Sequence, residues 1–150
     1  MRQHVAFAGP RGGMSPDQGR AVAAIVSRWV DDGVTELHHQ DDLTAYDLVD
    51  RAAALFLDLF VVAHPAVGQK RPTARGGIND EVALPLPADA RDEHLLAVCG
   101  RVVVAVGGPV FWERSPVWRF AARARALGRE LQLVDLDGAP LFDVQWPVAR

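Results

Sequence analysis

Three short segments of this 150-residue chain carry residue types that can do chemistry. The first is Gly9-Pro10-Arg11-Gly12-Gly13-Met14. Its glycines let backbone N–H groups approach an anion, Arg11 adds a charged fork, and a helix beginning just beyond would add a partial positive charge. The second is His38-His39-Gln40-Asp41-Asp42, in which His39, Asp41 and Asp42 are candidates for holding a ligand, an acid here being suited to a ribose hydroxyl. The third runs from Gly107-Gly108 to Arg114-Ser115, a second glycine turn with a cation and a hydroxyl, and Trp112 within it can stack on a base.

None of the three completes a known catalytic or cofactor signature. Glycines at 9, 12 and 13 do not fit G-x-G-x-x-G, and no Gly-Lys-Ser/Thr follows as a Walker loop requires. No G-x-S-x-G elbow exposes a serine; Ser15 and Ser115 each precede a proline and read as helix caps. Neighbouring histidines on a strand point to opposite faces, so only one of His38 and His39 can face a common site. The spacing matches no closed zinc pattern, and neither a metal nor a cofactor is expected. The single cysteine, Cys99, lies among Leu95, Leu96 and Val98 and reads as a buried, inert thiol.

The elements that must position these segments alternate. His4 to Ala8 reads as a strand; Ser15-Pro16 starts a helix with Val22, Ile25, Val26, Trp29 and Val30 on one face, stopped by Gly33. Val34 to His39 is the second strand. Thr44 caps a second helix whose stripe is Val49, Ala52, Ala53, Phe56 and Leu57, and Leu59 to Ala63 is the third strand. A helix over Asp89 to Cys99 precedes the most apolar strand, Arg101 to Val106. Ser115-Pro116 opens a further helix, Glu130 to Leu136 is a fifth strand, and Asp137-Gly138 turns Leu141 to Trp146 back antiparallel. Strand–helix alternation requires a parallel sheet covered on both faces. The expected fold is one α/β, Rossmann-like, doubly wound domain of strand order 3-2-1-4-5 with an antiparallel sixth strand at the edge. A flavodoxin-like order is the alternative. Ligands bind such sheets beyond the carboxyl ends of the strands where the order reverses; the first and third segments lie there, with the second beside them.

Hydrophobic residues make up 49% and charged residues 23%, with net charge −3 and Lys70 the sole lysine. Mixed signs without a basic stripe exclude general nucleic-acid binding, and no apolar run reaches membrane-spanning length, so a cytoplasmic protein is expected. The long segment from Ala66 to Ala88 holds Lys70, Arg71 and Arg75 among glycines and prolines. It buries little, and is read as a mobile lid or partner-contact arm, or as a solvated insertion.

Gly12-Gly13-Met14-Ser15-Pro16-Asp17-Gln18, Glu36-Leu37-His38-His39-Gln40-Asp41-Asp42, Val62-Ala63-His64-Pro65, Arg91-Asp92, Val106-Gly107-Gly108-Pro109 and Arg114-Ser115-Pro116-Val117-Trp118 together resemble the SLOG superfamily. The nearest pattern is that of its small bacterial and phage group, G-x-M-T-x-x-Q, H-H-G-D-C-x-G-A-D, H-P, R-N, A-A-P and R-S-G-T-W in order. Relatives in that superfamily include DNA-processing protein A and the lonely-guy phosphoribohydrolases. The resemblance implies a nucleotide-binding Rossmann-like fold, often oligomeric, with the ligand at Gly12-Gly13, Asp41 and Arg114-Ser115. The chain departs from the pattern where His-His-Gln-Asp-Asp lacks the glycine, where Pro116-Val117 replaces Gly-Thr, and where P-G-G-x-G-T-x-x-E is not met. The leading expectation is therefore a non-catalytic protein that binds a nucleotide or nucleotide derivative. The alternatives are a hydrolase of an N-glycosidic or phosphoribosyl bond, using Asp41, Asp42, Asp47 or Glu113, and an interaction protein with a vestigial crevice.

Overall fold

The computed structural model describes residues 3–52, 57–70, 79–107, 115–142 and 144–146, the side chains of 49–51 excepted. The strands are β1 (His4–Ala8), β2 (Glu36–His39), β3 (Phe60–Ala63), β4 (Glu81–Val82), β5 (Arg101–Ala105), β6 (Glu130–Val134) and β7 (Pro140–Leu141). The helices are α1 (Pro16–Asp31), α2 (Leu43–Arg51), α3 (Ala88–Val98) and α4 (Pro116–Ala126). One sheet runs β4-β3-β2-β1-β5-β6-β7, parallel except for β7. The chain leaves β1 toward β2 on one side and returns as β5 on the other, so the reversal lies between β1 and β5, as the Rossmann-like order expects.

Alternation along the strands splits the core in two. Val5 and Phe7 join Val22, Val26 and Trp29 of α1 and Leu48 of α2 on one face. Ala6 and Ala8 join Leu95 and Leu96 of α3 and Trp118 and Phe120 of α4 on the other. The central strands β1 and β5 are buried on both faces, which is why their sequences are continuously apolar.

Both serine–proline caps form: Ser15 Oγ accepts from Gln18 N at 3.1 Å, and Ser115 Oγ from Trp118 N at 3.4 Å. Cys99 is buried, and burial pushes its thiol up to about 12.

Four boundaries differ from the sequence reading. The cap of α2 is Asp42, whose Oδ1 accepts from Ala45 N at 3.1 Å, while Thr44 lies inside the helix and donates to Pro10 O. That helix ends at Arg51, and Leu57 is exposed rather than part of its stripe. The antiparallel return is only Pro140–Leu141. Strand β4 was not expected at all. Its two residues are exposed, so no apolar alternation marks them; backbone pairing to β3 and the Asp80 carboxylate on Val61 N, at 2.7 Å, hold them. It also fastens part of the segment read as a loose arm, as does the pairing of Ala66 with Leu86, where Val67 N donates to Leu86 O at 2.8 Å. Residues 71–78, with Arg71 and Arg75, lie outside the described residues.

The β6–β7 turn packs on the start of α1. Ser15 Oγ donates to Leu136 O at 2.5 Å, and Gln18 Nε2 donates to Val106 O and Val134 O at 2.9 and 3.0 Å. Gly138, at φ 79°, leaves no room for a side chain: a Cβ would stand 2.7 Å from Asp17 O. Gly138→Ala is expected to cost about 2–3 kcal/mol from positive φ and overpacking together. Gly33→Ala, at φ 104° with nothing within 4 Å of the added carbon, is expected to cost about 1 kcal/mol. Equal losses for the two variants in denaturant unfolding would show that the turn does not press on α1.

Candidate functional site

A crevice of about 1380 Å³ opens at the carboxyl ends of the strands. The turn after β1 forms one wall, closed by Gly13 N donating to Pro10 O at 3.1 Å and tied to α2 by the Thr44 hydroxyl on Pro10 O. Gly9 is required by close approach, since a Cβ there would lie 2.5 Å from Thr44 Cγ2. Gly107 and the first turn of α4, Ser115 to Val117, form the facing wall.

Of the residues singled out from sequence, Gly9, Arg11, Asp42, Gly107 and Ser115 line this crevice. Gly12, Gly13 and Met14 do not: a Cβ on either glycine would meet nothing within 4 Å, and Met14 is buried in the core beneath α1. Gly108, Trp112, Glu113 and Arg114 lie outside the described residues.

His39 and Asp41 are buried on the other side of the β2 terminus, because alternation turns His39 away from His38. His39 Nδ1 accepts from Asp41 N at 3.0 Å, which places the proton on Nε2, where it is donated to Asn79 Oδ1 at 2.8 Å. Asn79 Nδ2 donates to the Tyr46 hydroxyl at 2.9 Å, and that hydroxyl donates to Asp41 Oδ1 at 2.5 Å. The ring of bonds holds Asp41 at φ 58°, a conformation only short polar side chains and glycine take readily. These two residues shape the loop that presents Asp42.

The crevice floor uses residues the sequence did not single out as ligands. Arg91 Nε donates to Asp92 Oδ1 at 2.7 Å, and its Nη1 lies 3.2 Å from each of Gln40 O, His64 O and Gln69 Oε1. Gln69 Nε2 donates to Gln40 O and Asp41 O at 3.1 and 2.8 Å, and Gln40 Nε2 to Asp92 Oδ1 at 2.9 Å. One guanidinium thus ties the ends of β2 and β3 to α3.

Five cations line the crevice, Arg11, Lys70, Arg91, Arg119 and Arg123, against three carboxylates, Asp42, Asp89 and Asp92. Arg91 is paired with Asp92 and Arg123 with Asp89. Among the described residues no ion pair holds Arg11, Lys70 or Arg119. Burial pushes the Asp42 carboxyl above the usual carboxylate range, against the Ala45 N–H and the Arg91 charge that favour its anion. Exposed Leu43 and Val67 add apolar surface to the same wall. No described helix is long and apolar enough to cross a membrane.

Comparison with models of protein families, with curated proteins and with solved structures finds nothing that matches this chain.

Proposed function

We propose that the crevice binds a nucleotide or nucleotide derivative without turning it over, as the resemblance to the SLOG superfamily implies. The observation that carries this reading is the excess of cations, three of them held by no described carboxylate, around a crevice at the β1/β5 reversal. A phosphate there meets Arg11 and Arg119, with the Ser115-capped end of α4 alongside. A base or sugar meets Leu43 and Val67. Pro116 removes one N–H from that helix end. Charged side chains therefore carry more of the anion binding than backbone does.

A thermal-shift series with nucleoside monophosphates, cyclic nucleotides and ADP-ribose tests the reading. At about a hundredfold excess over Kd, a true ligand adds about 2.7 kcal/mol and raises Tm by several degrees. Arg11→Ala with Arg119→Ala is expected to abolish that response while leaving the unliganded Tm within a degree or two, both side chains being exposed. A flat response to every nucleotide overturns the proposal.

One observation favours the hydrolytic alternative: the Asp42 carboxyl faces the crevice and is held toward its protonated form, the property of a general acid for N-glycosidic cleavage. Release of free base from a nucleotide that shifts Tm, lost in Asp42→Asn with the shift retained, would establish catalysis in place of binding alone.

A further inference from the structure

Four of the five histidines of the chain gather between the sheet and α3. His4 (β1), His38 (β2), His64 (after β3) and His94 (α3) form a row, with successive ring centroids 5.5, 5.1 and 5.5 Å apart. Beside its first two rings stands Glu36. Its Oε2 lies 2.6 Å from His4 Nε2, and its Oε1 3.5 Å from His38 Nε2. Strand register produces the grouping. His4 is directly opposite Glu36, and His38, two residues along β2, returns to the same face.

His38 Nε2 is the atom without an explanation. The ring is 6% exposed, and no described group makes a hydrogen bond to Nε2. On the other side of the ring, Nδ1 lies 2.8 Å from His64 Nε2. With the proton on His38 Nδ1 and donated to His64, Nε2 is a bare lone pair, with Glu36 Oε1 3.5 Å away in the same cluster. A buried acceptor left in that state is destabilising unless a ligand satisfies it.

We propose that His4, Glu36 and His38 bind a first-row divalent cation of the zinc type. Each offers one donor atom, and the three atoms lie within 4.8 Å of one another. Bonds of about 2.0–2.2 Å in tetrahedral array separate donors by about 3.3 Å. To hold an ion the donors draw together from within 4.8 Å, and the stacked His4 ring turns so that its lone pair converges with that of His38. Two imidazoles and one carboxylate suit zinc; magnesium and calcium prefer oxygen alone. The His64 contact is the partner a metal-bound imidazole needs to fix its tautomer. His4 and Glu36 are each 28% exposed, so the fourth position faces water. None of the three ligands lines the crevice, and the site stands independently of nucleotide binding.

Untagged, chelator-stripped protein titrated with zinc chloride in a calorimeter is expected to bind one ion per chain, and cobalt(II) to show the intense visible absorption of a four-coordinate site. Magnesium and calcium are expected to give no saturable heat. Glu36→Gln and His4→Ala, at partly exposed positions, should each weaken zinc binding at least tenfold and abolish it together. His64→Asn should weaken it about tenfold through loss of the orienting bond. His94→Gln, an exposed ring outside the three ligands, should leave it unchanged. Absence of a stoichiometric zinc isotherm in the unsubstituted protein overturns the proposal. So does zinc binding that survives in the folded His4→Ala/Glu36→Gln variant.

Discussion

Acidification from pH 6.5 to pH 4, with no metal present, is expected to remove about 3 kcal/mol of folding stability through His38 and His64 alone. Burial first, and then the neighbouring His4, His94 and His39, lowers the His38 pKa from 6.5 to about 4. Burial, His38, His94, His39 and Arg91 lower that of His64 to about 3. Among the described residues Glu36, with Oε1 3.5 Å from His38 Nε2, is the carboxylate paired with that ring, and it opposes the lowering at His38. The sign follows from linkage. Both folded pKa values lie below the unfolded one, so the unfolded chain takes up protons first as pH falls. Stability is full above pH 6.5 and declines down to the folded values. At about 1.4 kcal/mol per unit, two independent groups would give roughly 6 kcal/mol at pH 4. Screening and the coupling of two hydrogen-bonded rings, which titrate as a pair, reduce that by about half. Asp42 acts in the opposite direction, because a raised folded pKa adds stability as pH falls. Urea unfolding between pH 7 and pH 5, where ordinary carboxylates scarcely titrate, reads the histidine slope most directly, with Asp42→Asn as the control. His64→Asn should flatten that slope whatever it does to absolute stability. A slope in the unsubstituted protein no steeper than in His64→Asn would mean that the rings are hydrated and titrate normally.

The architecture was legible because it rests on local signals. Unbroken apolar runs at Val5–Ala8 and Val102–Ala105 marked the two central strands, and Ser15-Pro16 and Ser115-Pro116 marked two helix starts to the residue. Strand β4 was silent because an exposed two-residue edge is held by backbone, which every sequence possesses. The crevice was half legible for the same reason. Gly9, Arg11 and Gly107 follow strand ends within three residues, and Ser115 caps the helix after β5, so topology brings them together. Arg91, Gln69, Lys70 and Arg119 enter from a helix face or a distant loop, and only tertiary packing places them. The histidines show the limit most clearly. His38-His39-Gln40-Asp41-Asp42 drew attention as a run, yet alternation sends its members to different sides. The group that converges is His4, Glu36 and His38, whose proximity depends on the β1–β2 register.

Arg91→Ala is expected to cost about 2–4 kcal/mol, a larger effect than any other single cation in the crevice should show. Its side chain is 11% exposed and its partner Asp92 14%, so the pair sits well away from bulk water. Removing the guanidinium leaves Asp92 with Gln40 Nε2 as its neutral donor, and deprives Gln40 O, His64 O and Gln69 Oε1 of a charged one. Breaking one side of a buried pair is worth about 3–5 kcal/mol, tempered here because Gln69 still donates to Gln40 O and water can enter from the crevice. Arg91→Lys separates charge from geometry: an ammonium can pair with Asp92 but cannot also fork toward three acceptors. It should recover roughly half the loss. Because the same guanidinium joins the ends of β2 and β3 to α3, its removal should also loosen the Gln40–Asp42 and Ala66–Gln69 walls. Hydrogen exchange at Val67 N and Gln69 N should then quicken more than at core amides of β1 and β5. Stability within about 0.5 kcal/mol of the unsubstituted protein, or recovery by lysine to the full value, would show that a charge in the crevice matters and the fork does not.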